Sequence, residues 1–240
     1  VETNTLLGLK AHNSTINLKG LLDVHHNLAG IYLSQSNLTY EQLCVESTQN
    51  VGLECVNSDV IWDGGKSFTT VGQTTRNQVD FSENGQDLLI DRGSSFGFKR
   101  SDSMNDTYGH MSFVSGHGQI VLDGNTAPLP SISVDNNSKA EFLHSKVIPR
   151  GLDTVHVTAN SPSYGLAAKA SNNSEIEFYG TGSGCTFIAG VPSYNYQKHT
   201  AGLYAKDGSK IGLHGPTVIS QFGVDALAES NSVIEICPPH

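Results

Sequence analysis

The sequence predicts an all-β chain, a single-stranded right-handed parallel β-helix (a β-solenoid) of about nine coils with about 22 residues per coil. Three observations predict it. The string LLGLKAHNSTINLKG, starting at Leu6, returns near the end as AGLYAKDGSKIGLHG, starting at Ala201. Its grammar can be laid along the chain nine times: apolar, spacer, apolar, a polar turn, then a second apolar-spacer-apolar pair. No apolar periodicity of 3.6 residues is sustained, whereas residues two apart share one face of a strand.

The elements follow in order. The first strand of each copy turns inward Leu9/Ala11, Ile31/Leu33, Leu53/Cys55, Leu88/Ile90, Met111/Phe113, Ile132/Val134, Leu166/Ala168, Leu203/Ala205 and Ala226/Ala228. The second strand contributes Ile16/Leu18, Leu38/Tyr40, Val60/Trp62, Phe96/Phe98, Ile120/Leu122, Ala140/Phe142, Ile176/Phe178, Ile211/Leu213 and Ile234/Ile236. The connecting turns read HNS, QS, VNS, DNNS, SNNS, KDGS and ESNS, residues that tolerate left-handed backbone or bond their own main chain. Copies start 22, 22, 35, 23, 21, 34, 37 and 23 residues apart, so three units carry extra length, at 65–84, 144–164 and 181–200.

One unit alone cannot fold. Its four to six buried side chains each contribute about 1.5–3 kcal/mol, against about 1–2 kcal/mol of backbone entropy for each ordered residue. Stacking equivalent strands in parallel makes the inward residues continuous columns. At about 4.8 Å per rung, nine coils make a rod about 40 Å long. Parallel crossovers give it a right-handed sense.

Coil length, Asn- and Ser-rich turns and inward aliphatic columns together resemble the right-handed parallel β-helix (pectin-lyase-like) superfamily. That group includes pectin and pectate lyases, polygalacturonases, bacteriophage tailspikes and autotransporter adhesins. In style the chain is most similar to tailspike and adhesin shafts. The resemblance implies a non-catalytic structural segment of a virion tail appendage or a cell-surface adhesin, with a face for a surface glycan or receptor. Other chains of a larger assembly are then partners, and a homotrimer fits the tailspike resemblance.

Composition bounds the rest. The 240 residues, 37% hydrophobic and 15% charged, suit one domain over residues 1–240 with a single elongated core. A net charge of −9 argues against nucleic acid and anionic membrane as partners, since both need clustered Lys and Arg. No apolar run approaches membrane-spanning length, so no membrane insertion is expected. The chain starts at Val1 with a copy under way by Leu6, and no capping segment is visible at either end of the stack, which reads as a piece of a longer chain or as ends covered by partner chains.

The search for chemistry gives less. Gly116-His117-Gly118 resembles a polygalacturonase triplet, but that family also carries an Asp-Asp pair and an Arg-x-Lys, and neither occurs here; His117 reads as an exposed turn residue. Asp59, Asp63, Asp87, Asp91 and Asp123 fall in neighbouring copies without the convergent pattern that calcium needs, and read as solvated carboxylates. His25 and His26 project to opposite strand faces, so no shared metal is expected from them. No cofactor is implied. The alternative to a binding segment is a polysaccharide lyase or glycoside hydrolase acting on an acidic polysaccharide.

Cys55 occupies an inward column and reads as a small buried hydrophobe, while a Cys44–Cys55 or Cys185–Cys237 bridge stays open. Trp62 reads as core. Sequons at Asn13, Asn37, Asn105, Asn136 and Asn172 fall mostly in the repeat turns, where Asn suits the corner itself. The extra segments are the best binding candidates, because solenoid insertions gather on the functional side. Tyr164, Tyr194 and Tyr196 lie in two of them, outside the inward columns, and are the expected carbohydrate-binding residues, by stacking on sugar rings or anchoring an interface. Their alternative is packing back onto the rod.

Overall fold

The computed structural model of the protein describes residues 6–63, 68–70, 73–75, 78–99, 110–115, 130–149, 166–180, 185–190 and 201–237. All regular structure among them is β-strand. The first pass of the chain gives β1 (Leu7–His12) and β2 (Thr15–His25), and the second β3 (Ala29–Ser34) and β4 (Asn37–Glu46). The third gives β5 (Val51–Val56), β6 (Asp59–Trp62), an antiparallel hairpin of β7 (Phe68–Thr70) and β8 (Gln73–Thr75), then β9 (Gln78–Asn84). The fourth gives β10 (Gln86–Asp91), β11 (Ser95–Phe98) and β12 (His110–Ser115). The fifth gives β13 (Ile132–Val134), β14 (Lys139–Leu143) and β15 (Ser145–Pro149). The sixth gives β16 (Leu166–Ala170), β17 (Glu175–Tyr179) and β18 (Thr186–Ala189). The seventh gives β19 (Ala201–Ala205), β20 (Lys210–His214) and β21 (Thr217–Ser220), and the last β22 (Val224–Ala228) and β23 (Val233–Cys237).

Apart from the hairpin, every pairing is parallel and joins one pass to the next. The first strands stack as an 8-stranded sheet, β1-β3-β5-β10-β13-β16-β19-β22. The second strands stack as β2-β4-β6-β11-β14-β17-β20-β23. A third stack, β2-β4-β9-β12-β15-β18-β21, joins the second because β2 and β4 run through both. In β2 the change of stack falls at a register shift between Leu18 and Leu21, where Gly20 takes φ +88°, a left-handed value open to glycine at little cost.

The inward columns are those the alternation predicts, with two corrections. Leu9, Ile31, Leu53, Leu88, Ile132, Ala168, Leu203 and Ala226 are direct partners, so this column has eight members among the described residues. Met111 and Phe113, expected in it as a ninth copy, belong to the third stack, paired with Val79 and Phe81 on one side and Ser145 and Val147 on the other. The seventh copy is displaced by two residues, Leu166 pairing with Ala201 and Ala168 with Leu203. The extra lengths at 65–84, 144–164 and 181–200 are therefore partly third-stack strands: β9, β15 and β18. Steps in the first column are 22, 22, 35, 44, 36, 35 and 23 residues, the differences between the partners' numbers. The 22-residue unit holds only at the two ends of the chain.

A serine ladder fixes the corner between the first and second stacks. The backbone N–H groups of Ser14, Ser36, Ser58, Ser94, Ser138, Ser174 and Ser209 donate to the Oγ of Ser36, Ser58, Ser94, Ser138, Ser174, Ser209 and Ser232 at 3.0–3.2 Å. Each buried turn donor thus finds its acceptor one rung on. The residues before these serines hold the left-handed conformation expected of Asn-rich corners: Asn13, Gln35, Asn57, Asn137, Asn173 and Asn231 all have φ between 47° and 61°. Two sequon asparagines are also engaged side chain to side chain, Asn136 Nδ2 on Asp91 at 2.7 Å and Asn172 Nδ2 on Asp135 at 2.6 Å.

The core lies between the stacks. Phe142 is fully buried, with ring centroids of Phe178, Phe113 and Phe96 at 5.1, 5.3 and 5.4 Å. Trp62 is buried as expected and donates its indole N–H to the Glu41 carbonyl at 2.8 Å. Cys55 is fully buried, and neither cysteine bridge forms, all four being free thiols.

Candidate functional site

The corners differ in what they allow. Between the first and second stacks every pass makes the short serine turn. All the added length enters at the two edges of the third stack. On one edge, 64–77 (which contains the hairpin), 99–109 and 180–185 connect second-stack strands to β9, β12 and β18. On the other, 116–131, 150–165 and 190–200 lead from β12, β15 and β18 to β13, β16 and β19. β12, β15 and β18 are consecutive neighbours in the third stack. The three segments on that edge therefore spring from adjacent rungs. Tyr164 belongs to the second of them and Tyr194 and Tyr196 to the third; all three tyrosines lie outside the described residues, as do Gly116-His117-Gly118 and Asp123.

The third stack carries an outward column that runs Asp23, Cys44, Asp80, Ser112, Lys146, Phe187 and Val218 in direct register. It changes character along the stack. At the acidic end, burial pushes the Asp80 carboxyl up, Glu46 adds to the rise, and Lys146 opposes it. Burial also pushes the Cys44 thiol up, helped by its bond to the Glu46 carboxylate at 3.0 Å. A thiol held protonated is a poor nucleophile. At the other end Phe187 is 48% and Val218 44% exposed beside Lys146. An exposed ring on a rigid strand next to a solvated ammonium suits stacking and polar contact with a ligand.

A second cluster, on the outer face of β14, β17, β20 and β23, was not legible in the sequence. Glu177 is buried at 3% exposure, its carboxylate meeting Lys210 Nζ at 3.2 Å and His214 Nε2. Lys210 also reaches Glu235 at 3.1 Å, and Lys139 bridges Glu175 at 3.1 Å and Glu141 at 3.3 Å. The His214 ring stacks on Tyr179, centroids 4.8 Å apart and 11° from parallel. Gly212 makes the space, because a Cβ there would run into the Glu177 carboxylate. The chemistry is one of compensation. Glu175 is held below the usual carboxylate range by its contact with Glu177, on whose side a proton shared by the two acids would sit, and by Lys139, against burial. For Lys210 the bond to Glu235 raises the ammonium, burial opposes it, and the bond to Glu177 adds to the rise. Burial lowers Lys139, but its bonds to Glu175 and Glu141 outweigh that and leave it raised. A general acid needs a carboxyl poised to keep its proton near the working pH; Glu175 is held the opposite way.

One prediction follows for this cluster. A carboxylate depressed in the folded chain contributes stability that is present above its unfolded range and lost as pH falls through the folded value. Lys210→Met should cost about 1 kcal/mol at neutral pH, an amount kept small because the lysine is partly solvated, and should flatten the acid limb below about pH 4. Chemical denaturation from neutral to acid pH checks it.

The remaining sequence candidates disperse. Asp59 accepts from Ser95 Oγ at 2.5 Å and Asp63 pairs with Lys99 at 3.3 Å, both beside the second stack, and Asp91 ends β10 in the first; Asp87, expected among the solvated carboxylates, is instead fully buried, held by Asn84 and Ser131. His25 and His26 correct an expectation. They share a side because His26 leaves the strand with φ 55°, which brings the rings to 5.1 Å and their Nδ1 atoms to 3.2 Å. Among the described residues no group of three or more His, Cys, Asp or Glu is placed to hold a metal ion.

No family model matches the chain, and neither a curated protein nor a solved structure matches it.

Proposed function

We propose that the chain winds as a right-handed, single-stranded parallel β-helix of about eight coils and works as a non-catalytic rod that presents a lateral binding face to a surface glycan or receptor. A segment of a virion tail appendage or surface adhesin is the setting, with other chains of the assembly, in a trimer, as partners. The observation that carries this reading is the origin of 116–131, 150–165 and 190–200 at three adjacent rungs of one edge. Insertions scattered around a rod build no common surface; insertions from neighbouring rungs do. The exposed Phe187 and Val218 of the third stack would supply apolar area, and Tyr164, Tyr194 and Tyr196, outside the described residues, are the further stacking groups this reading assigns.

A glycan array with the intact chain tests it. Tyr194→Ala combined with Tyr196→Ala should reduce binding at least tenfold with unchanged thermal stability, about 1.4 kcal/mol of stacking. A blank array rejects the glycan reading. Turnover of a polysaccharide panel to reducing ends or unsaturated uronates would favour the lyase or hydrolase alternative instead.

A further inference from the structure

In the first column of outward-leaning corner positions the early rungs carry glycine, at Gly8, Gly30 and Gly52, because a Cβ would strike the neighbouring rung or a third-stack side chain. The next rung places Asp87 there. It is fully buried. One oxygen accepts from Asn84 Nδ2 at 3.2 Å and the other from Ser131 Oγ. Asn84, also fully buried, donates to the Val45 carbonyl at 2.9 Å and accepts from the Thr48 N–H at 3.1 Å and hydroxyl at 2.8 Å. These four side chains tie successive rungs together at one corner. Ser131 opens the short strand β13, and its carbonyl accepts from the N–H groups of both Asp87 and Leu88 at 3.0 Å.

Each side-chain partner that Asp87 meets in this corner is a neutral donor. Among the described residues, the charged group that bears on it is Asp80 of β9, another acid. A buried carboxylate answered by neutral dipoles and a like charge is costly, while the neutral acid keeps both contacts, because its O–H or the serine hydroxyl can donate across the Ser131 bond. We propose that Asp87 stays protonated at neutral pH and acts as a proton-dependent latch between β10 and β13, the rung that brings the chain back after 116–129. Burial drives the carboxyl well above its usual range, against the opposing bonds from Ser131 and Asn84. The folded chain therefore binds the extra proton between the ordinary carboxylate range and the raised value. The latch is whole below that window and is lost as pH rises through the folded value.

The test has two arms. Thermal melts from about pH 4 to pH 9 should show wild type losing stability relative to Asp87→Asn as pH rises, the two coinciding at the acid end. Amide exchange at Ile132–Val134, normalised to Leu53–Cys55, should climb with pH in wild type and stay flat in the variant. Parallel melting profiles, or an unchanged exchange ratio, overturn the latch. Carbon-13 NMR of aspartate-labelled wild type covers the case of a variant that does not fold: the buried carboxyl should remain protonated at neutral pH, and titration of every aspartate in the ordinary range sinks the proposal.

Discussion

Phe142→Ala should lower stability by about 3–5 kcal/mol, the largest loss expected of any single substitution described here. The ring is fully buried, and it touches Phe96 and Phe178 in the second stack and Phe113 in the third. Truncation removes the transfer energy of the ring and leaves a cavity between stiff neighbours. β14 cannot move in to fill it, because it is held in register with β17 at Lys139, Ala140, Glu141, Phe142 and Leu143. Where parallel strands stack rung on rung, stability is close to a sum over rungs and their interfaces, so the loss should fall on the middle rungs and split the unfolding transition. Urea denaturation followed by amide exchange reads both effects. Phe98→Ala, at a half-buried ring on the same stack, should cost distinctly less. Equal losses at the two sites would mean that the core is not organised around Phe142.

Two of the three walls could be read from residue order, and the reason the third could not is physical. Period-two alternation reports which residues share a face, not which wall that face belongs to. Leu43/Val45, Val79/Phe81 and Met111/Phe113 obey the same grammar as Leu9/Ala11, so Met111 and Phe113 passed for the first strand of an extra copy. The displacement of the copy at Leu166 has a related cause. A slip of one residue would turn every side chain to the wrong face and be visible, but a slip of two keeps Ala168 and Ala170 inward and leaves no trace in the pattern. The corners were legible for the opposite reason. Asn137-Ser138 and Asn173-Ser174 do two separate jobs, left-handed backbone and a hydroxyl acceptor for the adjoining rung, and few residue pairs do both.

The proposed binding surface was legible only by position. Extra length marked where the strand-to-strand connections lengthen, and the strand order then put the origins of three of them on neighbouring rungs. Spacer residues carry no such mark. Glu177 and His214 sit where any strand of this kind has polar outward groups, and nothing in their order separates a solvated pair from one packed against Tyr179. The trace they did leave is an absence of bulk: Gly212 interrupts an otherwise ordinary strand, and a glycine there marks a close approach.

That logic gives a sharper prediction at another glycine. Gly30→Ala should destabilise by about 1–3 kcal/mol, whereas Gly97→Ala should be neutral or stabilise by up to about 1 kcal/mol. Both glycines lie within parallel strands, and neither has positive φ, so backbone conformation does not separate them. Space does. A Cβ on Gly30 would collide with the Gly52 carbonyl and lie 2.7 Å from Val45 Cγ1. The carbonyl cannot yield, since β3 and β5 are locked together at Ile31 with Leu53 and Leu33 with Cys55. Val45 cannot yield either, being fully buried between the first and third stacks. A Cβ on Gly97 meets nothing nearer than Glu141, at 3.8 Å, and there the methyl only restricts the unfolded chain. Denaturant midpoints of the two variants, measured side by side, decide the matter. A harmless Gly30→Ala would mean that the first and third stacks do not meet at this corner as closely as described, and the packing that excludes a side chain from Gly8, Gly30 and Gly52 would need another explanation.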